Sequence, residues 1–129
     1  MAYARDEKEL AELLKKRSRR FAIDTVRLCR HFPRTIAGYV VGRQLIKAAT
    51  ATAANYRAAC RSRSPADFIS RISVVSEEAD ESQFWLDIAV EVELTSGSEA
   101  RRLLAEAASS ARYSPNPEQR ASRTKPKAA

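Results

Sequence analysis

Each sign of charge is missing from one long stretch of this chain. Residues 72–99 contain no lysine or arginine, and residues 15–71 contain no acids except Asp24 and Asp67. Glycine is also scarce, with three in 129 residues, as are cysteine with two, histidine with one and tryptophan with one. So little glycine beside abundant Ala, Leu, Arg and Glu argues for helices over sheets, because Ala and straight-chain residues lose little entropy in a helix. A single histidine, His31, rules out a di-metal site built from Glu-x-x-His pairs on two helices. Cys29 and Cys60 lack zinc spacing and fall inside helical patterns. They read as reduced thiols of a cytoplasmic protein, and nothing in their spacing points to a Cys–His nucleophile with His31. There is no glycine-rich phosphate loop, and no apolar run approaches the roughly 20 residues a membrane helix needs. Residues 1–8 have no apolar signal-peptide core. These absences leave no catalytic constellation, no metal set, no cofactor motif and no membrane segment, so the chain reads as a non-enzyme.

What is present is sorted charge. Residues 15–71 carry 14 Lys and Arg against two acids, and residues 72–99 carry eight acids. The whole chain has a formal charge of +7 and a pI near 9.8. An excess of this size favours an anionic partner, although charge speaks to partners and not to fold.

Apolar periodicity and punctuation divide the chain into four predicted helices, over about 6–32, 36–61, 65–94 and 98–112, in one domain spanning 1–113. In the first, Leu10, Leu14, Phe21, Thr25, Leu28 and Phe32 form one stripe; Pro33 ends it, and the charged segment 11–20 is open to fraying. Thr35 is placed to cap the second, whose stripe runs Ile36, Val40, Val41, Leu45, Ala48, Ala49, Thr52, Tyr56 and Ala59. Ser64-Pro65-Ala66-Asp67 is the sharpest start signal: an N-cap, a proline at the first helical position, and a carboxylate three residues after the cap. The third helix carries Phe68, Ile72, Val75, Ala79, Leu86 and Ala89, with Trp85, Ile88 and Val92 beside them. Ser96 and Glu99 offer a capping box for the fourth, which holds Leu103, Leu104, Ala107, Ala108 and Ala111. Residues 114–129, with Arg120, Arg123, Lys125 and Lys127, read as a disordered basic tail.

Short connections between long helices predict an all-α, antiparallel, up-down-up-down four-helix bundle. In the hairpin of the second and third helices, positions whose numbers sum to roughly 127 then face each other. Arg43 and Lys47 fall opposite Glu77, Glu78 and Glu81, while Arg101 and Arg102 fall opposite Glu91 and Val90. Gln44, Thr52 and Asn55 share a face among small residues, where buried amides would fix helix register. Trp85 and Tyr56 read as packing anchors. The cations left for an outside partner are Lys15, Lys16, Arg17, Arg19, Arg20, Arg27 and Arg30 on the first helix, with Arg61 and Arg63 at a turn.

Two segments carry a family resemblance. One runs from Gln44 through Asn55-Tyr56-Arg57 and Cys60-Arg61 to Ser64-Pro65-Ala66-Asp67-Phe68; the other runs from Glu77-Glu78-Ala79-Asp80-Glu81 to Trp85-Leu86. Over about residues 18–95 the chain resembles the four-helix-bundle proteins first met as 23S rRNA intervening-sequence proteins. It is distantly similar to the accessory proteins of diversity-generating retroelements. The resemblance implies an antiparallel four-helix bundle, a ring-shaped homopentamer, RNA or DNA as ligand, and a reverse transcriptase or other protein as a further partner. Ala58 stands where the family usually has glutamate, so a role tied to that carboxylate is absent here.

Together these readings favour an oligomeric, non-enzymatic protein that binds RNA or DNA through phosphates and shape. The competing reading is a scaffold in which basic and acidic helices pair between subunits without nucleic acid.

Overall fold

The computed structural model describes residues 2–112, with side chains from residue 8 onward. The described residues form four α-helices and no strand: α1 (Ala2–Cys29), α2 (Ile36–Ala59), α3 (Pro65–Glu91) and α4 (Ser98–Ala111). The tail read over 114–129 lies outside them. α2 packs on α1 and α3, while α4 packs on α3 and touches α1 more sparingly.

Local chemistry explains most of the boundaries. Thr35 is extended, and its hydroxyl accepts the Gly38 N–H at 3.1 Å, capping α2 as its position predicts. Ser64 likewise accepts the Asp67 N–H at 3.1 Å, with Pro65 opening α3. The Asp67 carboxylate does not reach back to the cap; it pairs with Arg71 at 3.2 Å. α1 ends at Cys29, and residues 30–32 continue as a turn into Pro33. Far from fraying, the charged segment 11–20 is helical. Pairs from Lys15 to Glu12 and from Arg17 to Glu106 help hold it.

α3 stops three residues short of the expected 94. The Leu94 N–H donates to the Ala89 carbonyl at 2.8 Å and the Glu93 N–H to Val90 at 3.1 Å, with Glu93 at φ 62. This is a Schellman ending, with Leu94 packed against the core, but glutamate takes the left-handed position that glycine usually fills. α4 starts without the expected capping box. Gly97 is its cap, no side chain bonds there, and Glu99 turns to Arg102.

The core is uneven. Its larger part gathers Phe21, Phe32, Val41, Leu45, Ala49, Leu86, Ala89, Leu103 and Ala107, while Tyr56, Ala59, Ile72 and Val75 form a smaller cluster with Leu14 against it. Buried hydroxyls bond to the preceding turn of their own helices, as Thr25 does to Phe21 at 2.7 Å and Thr52 to Ala48 at 2.8 Å. Ser76 instead crosses from α3 to the Ala111 carbonyl at 2.6 Å, holding the end of α4. Five residues expected on or beside core stripes are exposed: Leu10, Ile36, Val40, Phe68 and Val92. Each lies within a few turns of a helix end, where no neighbouring helix covers it.

Candidate nucleic-acid interface

Steps of three, four and seven place Lys16, Arg19, Arg20 and Arg27 on one side of α1, and Arg30, one residue past its end, continues the line. All five are exposed, whereas Phe21 and Thr25 on the opposite side are fully buried. From Lys16 to Arg30 the stripe is about 21 Å long. Arg61 and Arg63 are both exposed in the turn after α2, and their neighbour Cys60 feels the charges of Lys15 and Glu12 near the start of the stripe.

Four of the nine cations expected to face a partner are already engaged. Lys15 pairs with Glu12 at 2.9 Å, and Arg17 grips Glu106 of α4 through Nε at 3.1 Å and Nη2 at 3.0 Å. Arg20 donates to Asp24 at 3.0 Å, and Arg27 stands 3.9 Å from the same carboxylate. Lys16, Arg19, Arg30, Arg61 and Arg63 make no ion pair among the described residues and form the freer part of the surface.

Arg102 was expected opposite Val90 and Glu91 of α3. It turns instead toward α1, its Nη2 donating to Asp24 at 2.7 Å and to Glu99 at 2.7 Å. Arg101 and Val90 both line a cavity of about 360 Å³ at the α3–α4 turn, together with Glu93 and Thr95. Burial pushes the Asp24 carboxyl upward, but hydrogen bonds from Arg20 and Arg102 outweigh it and hold the group below the usual aspartate value. Sequence spacing could not expose this cluster, because Asp24 and Arg102 are 78 positions apart.

The acidic band of α3 is less tightly paired than expected. Glu77 and Glu81 are exposed, and no ion pair joins the band to Arg43 or Lys47 among the described residues. Lys47 is still near enough to favour the charged form of Glu78, in keeping with the register. Burial and the neighbouring Glu81 prevail, so the Glu78 pKa is raised. A glutamate whose folded pKa is raised loses stability as pH climbs through that value. Glu78→Gln is therefore expected to increase stability at neutral pH by about 0.3–0.5 kcal/mol, the scale of one relieved like-charge helix pair. A lower thermal midpoint than wild type at pH 7 would refute this.

The Gln44, Thr52 and Asn55 grouping does not form a shared network. Thr52 is buried and bonds to its own helix, Asn55 bonds to Ala51 at 2.8 Å, and Gln44 is half-buried. Tyr56 is buried in the smaller core cluster, which denies it to a stacking base. Trp85 is half-buried against the main core, edge-on to Phe84 at 5.0 Å, with its indole N–H 3.4 Å from Glu81. Cys29 and Cys60 are both free, and burial pushes the Cys29 thiol up to about 12. His31 lies exposed in the turn after α1. Among the described residues no group of three or more His, Cys, Asp or Glu could hold a metal ion, and no helix is long and apolar enough to cross a membrane.

A family model described as 23S rRNA-intervening sequence protein matches residues 12–113, which takes in all of the basic stripe and the Asp24 cluster. Among solved structures, the chain is similar to a protein of unknown function from the S23 ribosomal protein family of Bacteroides thetaiotaomicron. The two share 25% identity over 75% of this chain and 90% of that one, with a TM-score of 0.69. No curated protein matches the chain with significance.

Proposed function

This chain belongs to the 23S rRNA-intervening sequence protein family, and on that footing we propose that it is a non-enzymatic, oligomeric protein that binds RNA or DNA through phosphates. The exposed basic side of α1 carries the reading: four cations on one face and Arg30 just past the helix end, with Lys16, Arg19 and Arg30 unpaired among the described residues. Such a surface attracts a polyanion by releasing its counterions and needs no base-reading pocket. An antiparallel, up-down-up-down arrangement supports it by presenting α1 at full length. Short connections favour that arrangement, as do the ties from Arg17 to Glu106 and from Asp24 to Arg102, in which a later α1 position meets an earlier α4 position. A homo-oligomeric ring, implied by the family resemblance, would repeat the stripe around an axis and raise avidity.

Fluorescence anisotropy against single- and double-stranded RNA and DNA, at roughly 50 and 200 mM salt, tests the reading. Binding should be tight at the lower salt, fall steeply at the higher, and depend little on sequence. No binding to any of the four at low salt would defeat it.

A scaffold reading also has an observation behind it. The acidic side of α3 makes no ion pair with Arg43 or Lys47 among the described residues, and Phe84 on that helix, Val92 just past its end and Ile36 on α2 are exposed, with Ile36 at 84%. An acidic, partly apolar face of this kind could meet the basic α1 of another copy. Salt would then dissociate the oligomer instead of releasing nucleic acid, which sedimentation at the same two salt concentrations would distinguish.

A further inference from the structure

Asp24 gathers three arginines from two helices around one buried carboxylate. Its side chain is 7% exposed, while those of Arg20, Arg27 and Arg102 are 71%, 65% and 49% exposed. Oδ2 accepts from Arg20 Nε at 3.0 Å and from Arg102 Nη2 at 2.7 Å, and Oδ1 faces Arg27 Nη1 at 3.9 Å. Glu99 holds Arg102 from its other side, with Nε at 3.2 Å and Nη2 at 2.7 Å. Three guanidiniums against two carboxylates leave the cluster locally cationic.

A guanidinium offers five N–H groups in a planar fork. Arg20 commits only Nε to Asp24, so both of its terminal nitrogens remain for an outside acceptor, and Arg27 is too far away to commit any. An isolated surface arginine must give up rotamer freedom when it grips an anion. Here a buried acid has already restrained Arg20 and Arg102, on opposite sides of the α1–α4 seam.

We propose that Arg20, Arg27 and Arg102 form a discrete seat for one nucleic-acid phosphodiester, with Asp24 as the positioning residue that orders the guanidiniums. This rests on the nucleic-acid reading above and deepens it. The rest of the stripe supplies diffuse attraction, whereas the seat fixes where along α1 the backbone is held. Bidentate contacts to the two non-bridging oxygens of a phosphate suit arginine and not lysine.

The seat and a diffuse stripe predict opposite signs for one substitution. Asp24→Asn removes a buried negative charge and so makes the cluster more cationic. If only net charge mattered, affinity for a 20-nucleotide single-stranded RNA would rise and its salt dependence would steepen. With a positioned seat, affinity should fall about tenfold despite the more cationic cluster. Arg102→Lys keeps the charge but removes the free Nη1 donors and the ties to Asp24 and Glu99 that hold them in place, so the seat predicts a loss of about fivefold and diffuse attraction predicts none. Anisotropy titrations at two salt concentrations, with helical circular dichroism melts of each variant, would decide. If Asp24→Asn fails to fold, Arg102→Lys still carries the test. Unchanged or tighter binding by the folded variants would overturn the seat while leaving the wider reading intact. Absence of binding by the wild-type chain would overturn both.

Discussion

Reversing Lys16, Arg19 and Arg30 together to glutamate is expected to weaken RNA binding at roughly 50 mM salt by 100-fold or more. Three lost phosphate contacts should flatten the salt dependence on a single strand by about two in slope, at about 0.7 per contact, and the new negative charges add repulsion. The choice of residues matters because Arg17 and Arg20, although on the same helix, also hold the molecule together. Arg17 reaches Glu106 across the α1–α4 seam and Arg20 reaches Asp24 one turn along α1, so reversing either would set two negative charges against each other. A loss of binding in such variants could reflect damage to the fold. Lys16, Arg19 and Arg30 are exposed and make no ion pair among the described residues, so their reversal should leave the thermal midpoint almost unchanged. Unaltered affinity in the folded triple variant would remove the basic side of α1 as the binding surface and leave the scaffold reading in place.

Much of this architecture can be read from the residues in order. The stripe from Val41 to Ala59 is buried largely as its spacing requires, and Thr35 and Ser64 cap the helices they precede. Those signals are local: a cap acts within one turn, and an apolar period needs only its own helix. The failures have a different range. Glu93 ends α3 in a conformation that nothing about glutamate announces. Ile36 and Val40 have the right spacing for the core, but lie exposed near the start of α2, where no described helix buries them. The candidate interface follows the same division. The exposed stripe on α1 was legible because it is a helical repeat, whereas the recruitment of Arg102 by Asp24 depends on how α4 lies against α1. Charge sorting suggested that the basic segment and the acidic band would pair. The strongest cross-helix ties instead use Asp24, one of only two acids in the basic segment, and Glu106, which lies beyond the band.

Two glycines of α2 give the sharpest test of the packing, because helix propensity treats them alike and the structure does not. Replacing either with alanine should gain up to about 1 kcal/mol from propensity alone, somewhat less in a first turn. A helical Cβ points back toward the N-terminus of its helix. At Gly42 that direction meets the Phe32 ring at 3.5 Å, an ordinary contact, so Gly42→Ala should be neutral to stabilising. At Gly38 the same direction runs into the Pro33 carbonyl oxygen, a backbone atom that cannot swing aside. That carbonyl is also fixed by the Thr35 N–H at 2.9 Å, and the Gly38 N–H is tied to the Thr35 hydroxyl. Relief would require opening the turn that joins α1 to α2 and giving up the cap. Gly38→Ala should therefore cost about 2–3 kcal/mol, the scale of an overpacked site, and lower the thermal midpoint by roughly 10 °C or more. The pair of variants removes most of the propensity contribution, leaving the close approach to Pro33 as the main difference between them. If Gly38→Ala melted as high as Gly42→Ala, the turn would have to be looser than this geometry, and the alignment of α2 against α1 would need to be redrawn.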